Sequence, residues 1–184
     1  MQDGAPKAKE PPAEHVVLVD ENDNVLGYED KETAHNGEGK LHRAISIFIF
    51  NEKGEMLIHR RAEGKRLWGG YWTNSCCSHP RKGEDYLQAA ERRLQEELKF
   101  SAKLRPLFKF QYQAKFEDKG SENELDQVFA GRYDGEVNPN PDEIAEFKFI
   151  APEALVQDMA KNPGKYTPWF KKVLNQVIEA EKTN

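Results

Sequence analysis

From His42 to Phe50 almost every position is apolar: Ala44, Ser46, Phe48 and Phe50 alternate with Ile45, Ile47 and Ile49, so both faces of an extended segment are hydrophobic. That pattern predicts a central strand covered on both sides. Upstream, the β-branched run at 14–20, the turn Glu21-Asn22-Asp23-Asn24 and the return segment 25–28 predict a hairpin. Downstream, Asn51-Glu52-Lys53-Gly54 turns the chain into a second strand at 55–60.

Leu87, Ala90, Leu94 and Leu98 recur at three- and four-residue intervals, which predicts an amphipathic helix over 84–100. Strand-like composition returns at 107–116 and 124–133, on either side of the turn Asp118-Lys119-Gly120, and again at 147–150. Two helices close the chain. One spans 152–161 with proline in its first turn, and one spans 168–180 with Thr167 as N-cap ahead of Pro168. The expected class is α/β, more narrowly α+β: a mixed sheet sandwiched between helices, with an N-terminal β-hairpin extension.

The 184 residues are enough for one domain, expected over 14–184, behind a flexible tail at 1–13 rich in Pro, Lys and Glu. With 38% hydrophobic and 32% charged residues, the chain has no apolar run of membrane-spanning length, and its tail lacks the apolar core of a secretory signal. A net charge of −5 argues against nucleic acid as partner. Cys76 and Cys77 are the only cysteines, and neighbours in sequence bridge only under strain, so a reducing, cytoplasmic setting is expected.

Against that acidic background, Arg60, Arg61, Lys65 and Arg66 crowd one short stretch, which suits a small polyanion such as a diphosphate. A solvated basic loop is the plain alternative. Thr73-Asn74-Ser75-Cys76-Cys77-Ser78-His79-Pro80, read as a turn, places a thiol beside an imidazole. Glu122, Glu124 and Asp126 are two apart on a strand and share a face; they would repel one another if buried without a cation, and would be unremarkable on a solvated edge. His35, His42 and His79 are placed to converge at one end of the sheet, and with two carboxylates they make a nitrogen and oxygen set suited to manganese, zinc, iron or magnesium. His15 and His59 read as structural. Arg93 and Glu97, four apart on the helix, are either a surface ion pair or an anion contact with a magnesium ligand.

The stretch from Ser78 to Phe100 resembles a Nudix box, with Glu84, then Arg92-Arg93-Leu94-Gln95-Glu96-Glu97 and Lys99-Phe100 at the box spacing. Ser78 and Lys99 stand where the pattern has glycine, and Arg93 stands where a hydrolase has a metal-holding glutamate, which speaks against pyrophosphate hydrolysis. With His35, Leu41-His42, Arg60-Arg61-Ala62, Lys65, the cysteine segment, Glu122-Asn123-Glu124 and Pro168-Trp169, the chain is similar to the type I isopentenyl diphosphate isomerases of that superfamily.

The resemblance implies a Nudix-like fold and the interconversion of isopentenyl and dimethylallyl diphosphate, with Cys77 and Glu124 as the catalytic pair assisted by Tyr112; a monomer is expected. It implies a divalent ion (Mn2+, Mg2+ or Zn2+) held by His35, His42, His79, Glu122 and Glu124, and a second Mg2+ that accompanies the substrate diphosphate near Glu97. Diphosphate contacts would come from Lys31, Arg61, Lys65 and Arg93, and Trp169 would cover the hydrocarbon. A Nudix pyrophosphohydrolase acting on a nucleoside or prenyl diphosphate is the rival reading.

Overall fold

The computed structural model describes residues 14–183, so the expected tail at 1–13 lies outside the described residues. The hairpin forms as β1 (His15–Val19) and β2 (Val25–Asp30), with Asp20 fastening its turn by accepting from the Asn22 and Asn24 amides. Directly after it comes α1 (Lys31–Ala34), a single turn capped by the Asp30 carboxylate, which the sequence pattern did not anticipate.

β3 (His42–Phe50) is the central strand, buried at every position except Arg43. Along one edge it pairs in parallel with all but the first four residues of β8 (Gly120–Arg132), from His42↔Glu124 to Phe50↔Arg132. Other segments pair with it antiparallel: β1 at Leu18↔His42, β6 (Cys76–Ser78) at Ile45–Ile47, and β4 (Met56–Arg61) at Phe50↔Met56. β7 (Leu104–Phe116) flanks β8, while β5 (Trp72–Thr73) and β9 (Ile144–Ile150) flank β4. The mixed sheet is thus as expected, but the cysteine segment is not a simple turn. It is two short strands, β5 and β6, joined through buried Asn74 and Ser75.

Because side chains alternate across a strand, the sheet has two cores. Ile45, Ile47, Ile49 and Leu57 pack against Ala89, Ala90, Leu94 and Leu98 of α2 (Tyr86–Leu98). Phe48, Phe50, Met56 and Ile58 pack against α3 (Pro152–Lys161) and α4 (Pro168–Lys182) through Leu155, Trp169, Phe170 and Val173. The buried stripe of α2 is displaced from the expected one. Leu87 is exposed, whereas Arg93 and Glu97 turn inward. The helix starts at a capping box between Asp85 and Gln88, each side chain accepting from the other's backbone amide. Thr167 does precede α4, but its hydroxyl caps nothing; it donates to Thr73 Oγ1 at 3.0 Å and ties α4 to β5.

Candidate active site

One face of the sheet carries most of the residues nominated from the sequence. Register places Cys77 opposite Ser46, Glu124 opposite both His42 and Tyr112, and Asp126 opposite Ala44. Even-numbered positions of β3 and β8 therefore share this face with Cys77 and His79. They border a cavity of about 290 Å³, which every residue given a site role by the resemblance lines except His42, itself fully buried.

His35, His42, His79, Glu122 and Glu124 each offer one ligand atom, and these atoms all lie within 4.8 Å of one another. The imidazole rings are 4.8 to 5.3 Å apart, centre to centre. His35 and His42 direct Nδ1 at the backbone carbonyls of Lys31 and Lys40, at 2.6 and 2.7 Å, which makes Nδ1 the donor and leaves Nε2 as the ligand atom. His35 Nε2 meets Glu122 Oε2 at 2.8 Å, and His79 Nε2 meets Glu124 Oε1 at 2.8 Å. His42 Nε2 is buried without a hydrogen-bond partner, 3.6 Å from Glu124 Oε1. An orphaned nitrogen facing buried carboxylates is costly by itself. A divalent cation fits this donor set: twice a metal–ligand bond of about 2.2 Å spans roughly the size of the cluster.

The electrostatics agree with that fit. Burial opposes a charge on His35, but the hydrogen bond and charge of Glu122 outweigh it and raise its pKa to about 9. Burial, then the neighbouring His42, holds His79 well below the usual range. Burial works against the Glu124 carboxylate, yet His42 and Tyr112 keep it below its ordinary value. Protons and ion pairs thus occupy the places that a cation would take on binding. His35 is held from behind. Its carbonyl accepts from Ser121 at 2.9 Å, and Gly120, at φ +136°, leaves room for that approach, since a Cβ there would sit 2.4 Å from the same oxygen.

Cys77 Sγ donates to Asn74 Oδ1 at 2.9 Å and receives the Trp169 indole N–H at 3.2 Å. Burial, then the charge of Asp126, pushes its thiol up to about 12. Tyr112 donates its hydroxyl to Glu124 Oε2 and is itself buried. Trp169 lies edge-on to Trp68, 5.4 Å between rings, and 5.9 Å from Tyr112, so aromatic surface closes one side of the cavity.

The basic stretch divides in two. Arg61, Lys65 and Arg66 line the cavity, with Arg61 Nε buried and lacking a hydrogen-bond partner. Arg60 turns to Glu63 and Glu146, and Arg66 is taken up by Glu32, Asn36 and the Lys119 carbonyl. Lys31 reaches the cavity rim while paired to Glu14 at 2.9 Å. Arg93 and Glu97 form no surface pair. Both are buried, 2.5 Å apart, and burial raises the Glu97 carboxyl despite Arg93. Glu84 of the box pairs with Arg92 at 2.6 Å. Sequence reasoning missed Asn74, Ser46 and Glu143. Ser46 donates to Asp126 Oδ2 at 2.7 Å, and Glu143 pairs with both Lys65 and Arg93.

A NUDIX domain model matches residues 40–170. The chain is 43% identical over 171 residues to isopentenyl-diphosphate Delta-isomerase 2 of Aromatoleum aromaticum, covering 93% of this chain and 90% of that one. It is 42% identical to the isopentenyl-diphosphate Delta-isomerase of Serratia proteamaculans, covering 89% and 91%. Among solved structures, a Deinococcus radiodurans protein superposes with a TM-score of 0.73 at 25% identity, over 89% of this chain and 98% of that one. The MutT protein of Methanosarcina mazei, at 19% identity and a TM-score of 0.61 over 78% and 96%, shares the fold. The chain belongs to the NUDIX family and, within it, to the type I isopentenyl-diphosphate Delta-isomerases.

Proposed function

We propose that the protein interconverts isopentenyl and dimethylallyl diphosphate, with Cys77 and Glu124 as the proton-transferring pair. The observation that carries this assignment is that the half-buried Cys77 thiol and the Tyr112-bound carboxylate open onto one cavity walled by Trp169.

The reaction adds a proton to the terminal alkene carbon, passes through a tertiary carbocation, and removes a proton from the carbon nearer the diphosphate. Atoms and electrons balance without a redox partner. The site must supply acid and base, exclude water and hold the charged tail. Cys77 remains a thiol at neutral pH and carries one proton. Glu124, hydrogen-bonded by Tyr112 and oriented by His79, handles the other. His35, His42, His79, Glu122 and Glu124 would hold a divalent ion, which would supply Lewis-acid polarisation of that carboxylate, and the donor set suits Mn2+, Mg2+ or Zn2+. Trp169 and Tyr112 line the cavity beside the hydrocarbon, where an aromatic face turned to the cation would be worth up to about 2 kcal/mol when dry. Arg61, Lys65, Lys31 and Arg93 hold the diphosphate, and Glu97 serves the Mg2+ that accompanies it.

The same reading takes the protein as a monomer with a small diphosphate rather than nucleic acid or a membrane as partner, and the free thiols of Cys76 and Cys77 suit a reducing cytoplasm. No helix among the described residues is long and apolar enough to cross a membrane. The hydrolase reading is disfavoured because Arg93, a cation, stands in the box where a metal-holding glutamate would be needed. Incubation with isopentenyl diphosphate and separation of products tests the choice: dimethylallyl diphosphate supports isomerisation, and isopentenyl monophosphate with inorganic phosphate supports hydrolysis.

A further inference from the structure

Glu143 has no part in the chemistry described above, yet it faces the same cavity. Its carboxylate pairs with Lys65 through Oε2 and with Arg93 Nη2 through Oε1 at 3.3 Å, so it touches two of the cations assigned to the diphosphate. Arg93 is already saturated with acids. Nε and Nη2 donate to Glu97 at 3.1 and 2.5 Å, and Nη1 donates to Glu96 at 2.8 Å. For Arg93 and Lys65 to turn toward a diphosphate, some carboxylate must let go. Glu97 is held deepest, its side chain 4% exposed, and Glu96, though 39% exposed, lies outside the cavity lining and also pairs with Arg92. Glu143 makes the longest of the contacts to Arg93, its side chain is 22% exposed, and it is the carboxylate shared with Lys65.

The fold does not need this side chain to hold its loop. The Glu143 carbonyl accepts from the Ala62 amide at 2.9 Å, its own amide donates to the Asn140 carbonyl at 3.0 Å, and the Asn140 amide donates to the Glu97 carbonyl at 2.7 Å. Main-chain bonds thus join the basic stretch, this turn and the end of α2, and the carboxylate is left as a counter-charge.

Building on the diphosphate site proposed above, we propose that Glu143 is the resting counter-ion of that site, a placeholder whose ion pairs with Lys65 and Arg93 are broken when the substrate diphosphate binds. Its charge sets how tightly the tail is held and how readily product leaves. Positioning of the cations by Glu143 is the opposite reading, and the two differ in sign.

Inorganic pyrophosphate binding to the metal-loaded enzyme in millimolar Mg2+, measured by calorimetry, separates them without relying on turnover. A partly exposed ion pair is worth up to about fivefold in an equilibrium constant, and two are broken, so Glu143→Gln is expected to bind pyrophosphate roughly tenfold tighter. In a Lys65→Met background that gain should shrink to roughly threefold, because one of the two charges that Glu143 competes for is gone while its pair with Arg93 remains. An unchanged or raised Kd in Glu143→Gln, with thermal stability intact, overturns the proposal, as does a full gain in the Lys65→Met background. Failure of the wild-type enzyme to bind pyrophosphate at all is a separate result, and it sinks the diphosphate site itself.

Discussion

Tyr112 and Glu124 face each other across the β7–β8 ladder, and the tyrosine hydroxyl donates to the carboxylate oxygen that His79 leaves free. Tyr112 is buried, with burial and then the charge of Glu124 raising its hydroxyl well above the usual range, so it acts as a fixed donor. Tyr112→Phe keeps the ring stacked on Phe110 and removes the donor alone. It should lower kcat by about 10- to 100-fold with KM little changed, as for loss of a group that orients a catalytic carboxylate. Steady-state kinetics showing kcat within about twofold of wild type would remove Tyr112 from the mechanism.

The two thiols should separate cleanly. Cys77 opens on the cavity, whereas Cys76 is fully buried on the other face among Ile45, Leu94 and Leu98. Cys77→Ala should cost about 1,000-fold or more in kcat, since it deletes the proposed proton carrier. Cys76→Ala should keep most activity and lose roughly 1 to 2 kcal/mol of stability through the small cavity it leaves. Equal kinetic losses at stable fold would mean that the roles are assigned wrongly.

Metal dependence follows from the orphaned Nε2 of His42 and the paired His79 and His35. Chelation should abolish turnover, and His79→Asn should weaken Mn2+ binding by about tenfold or more in calorimetry. Full activity of metal-free enzyme, or wild-type affinity in the variant, contradicts the ligand set.

His59 gives a pH effect on stability. It is buried, its Nδ1 donates to the Ser75 carbonyl at 3.1 Å, and burial, then the charge of Arg61, holds its pKa down to about 3. An unfolded histidine titrates near 6.5. Below that pH the unfolded chain takes a proton that the folded one refuses, so the stability from neutral burial is complete above about 6.5 and falls as the pH drops toward 3. Between pH 6.5 and 5 the unfolding free energy of chelator-treated protein should fall more steeply for wild type than for His59→Gln, by up to about 1.4 kcal/mol per pH unit. Parallel slopes in denaturant titrations would show that His59 does not refuse the proton.

The sheet was legible where burial and hydrophobicity coincide. β3 and the helix 152–161 match their expected bounds because their apolar residues are the buried ones. β8 begins four residues earlier than its pattern suggests, since Ser121, Glu122, Glu124 and Asp126 are polar yet buried by the site itself. For the same reason α2 looked like an ordinary amphipathic helix with Leu87 inside, when Arg93 and Glu97 hold that place. The histidines and acids of the cluster were readable from position and motif. Glu143 was not: Asn140-Pro141-Asp142-Glu143 has the composition of a solvated turn, and its role arises only from contacts 50 and 78 residues away in sequence.

The central claim is reversible proton transfer at carbon by Cys77 and Glu124, and deuterium exchange reads it most directly. Incubation with isopentenyl diphosphate and divalent metal in deuterated water, followed by NMR, should give dimethylallyl diphosphate carrying deuterium in a methyl group, with label also entering recovered substrate. Unlabelled, unchanged isopentenyl diphosphate, or release of inorganic phosphate in place of the isomer, would contradict it.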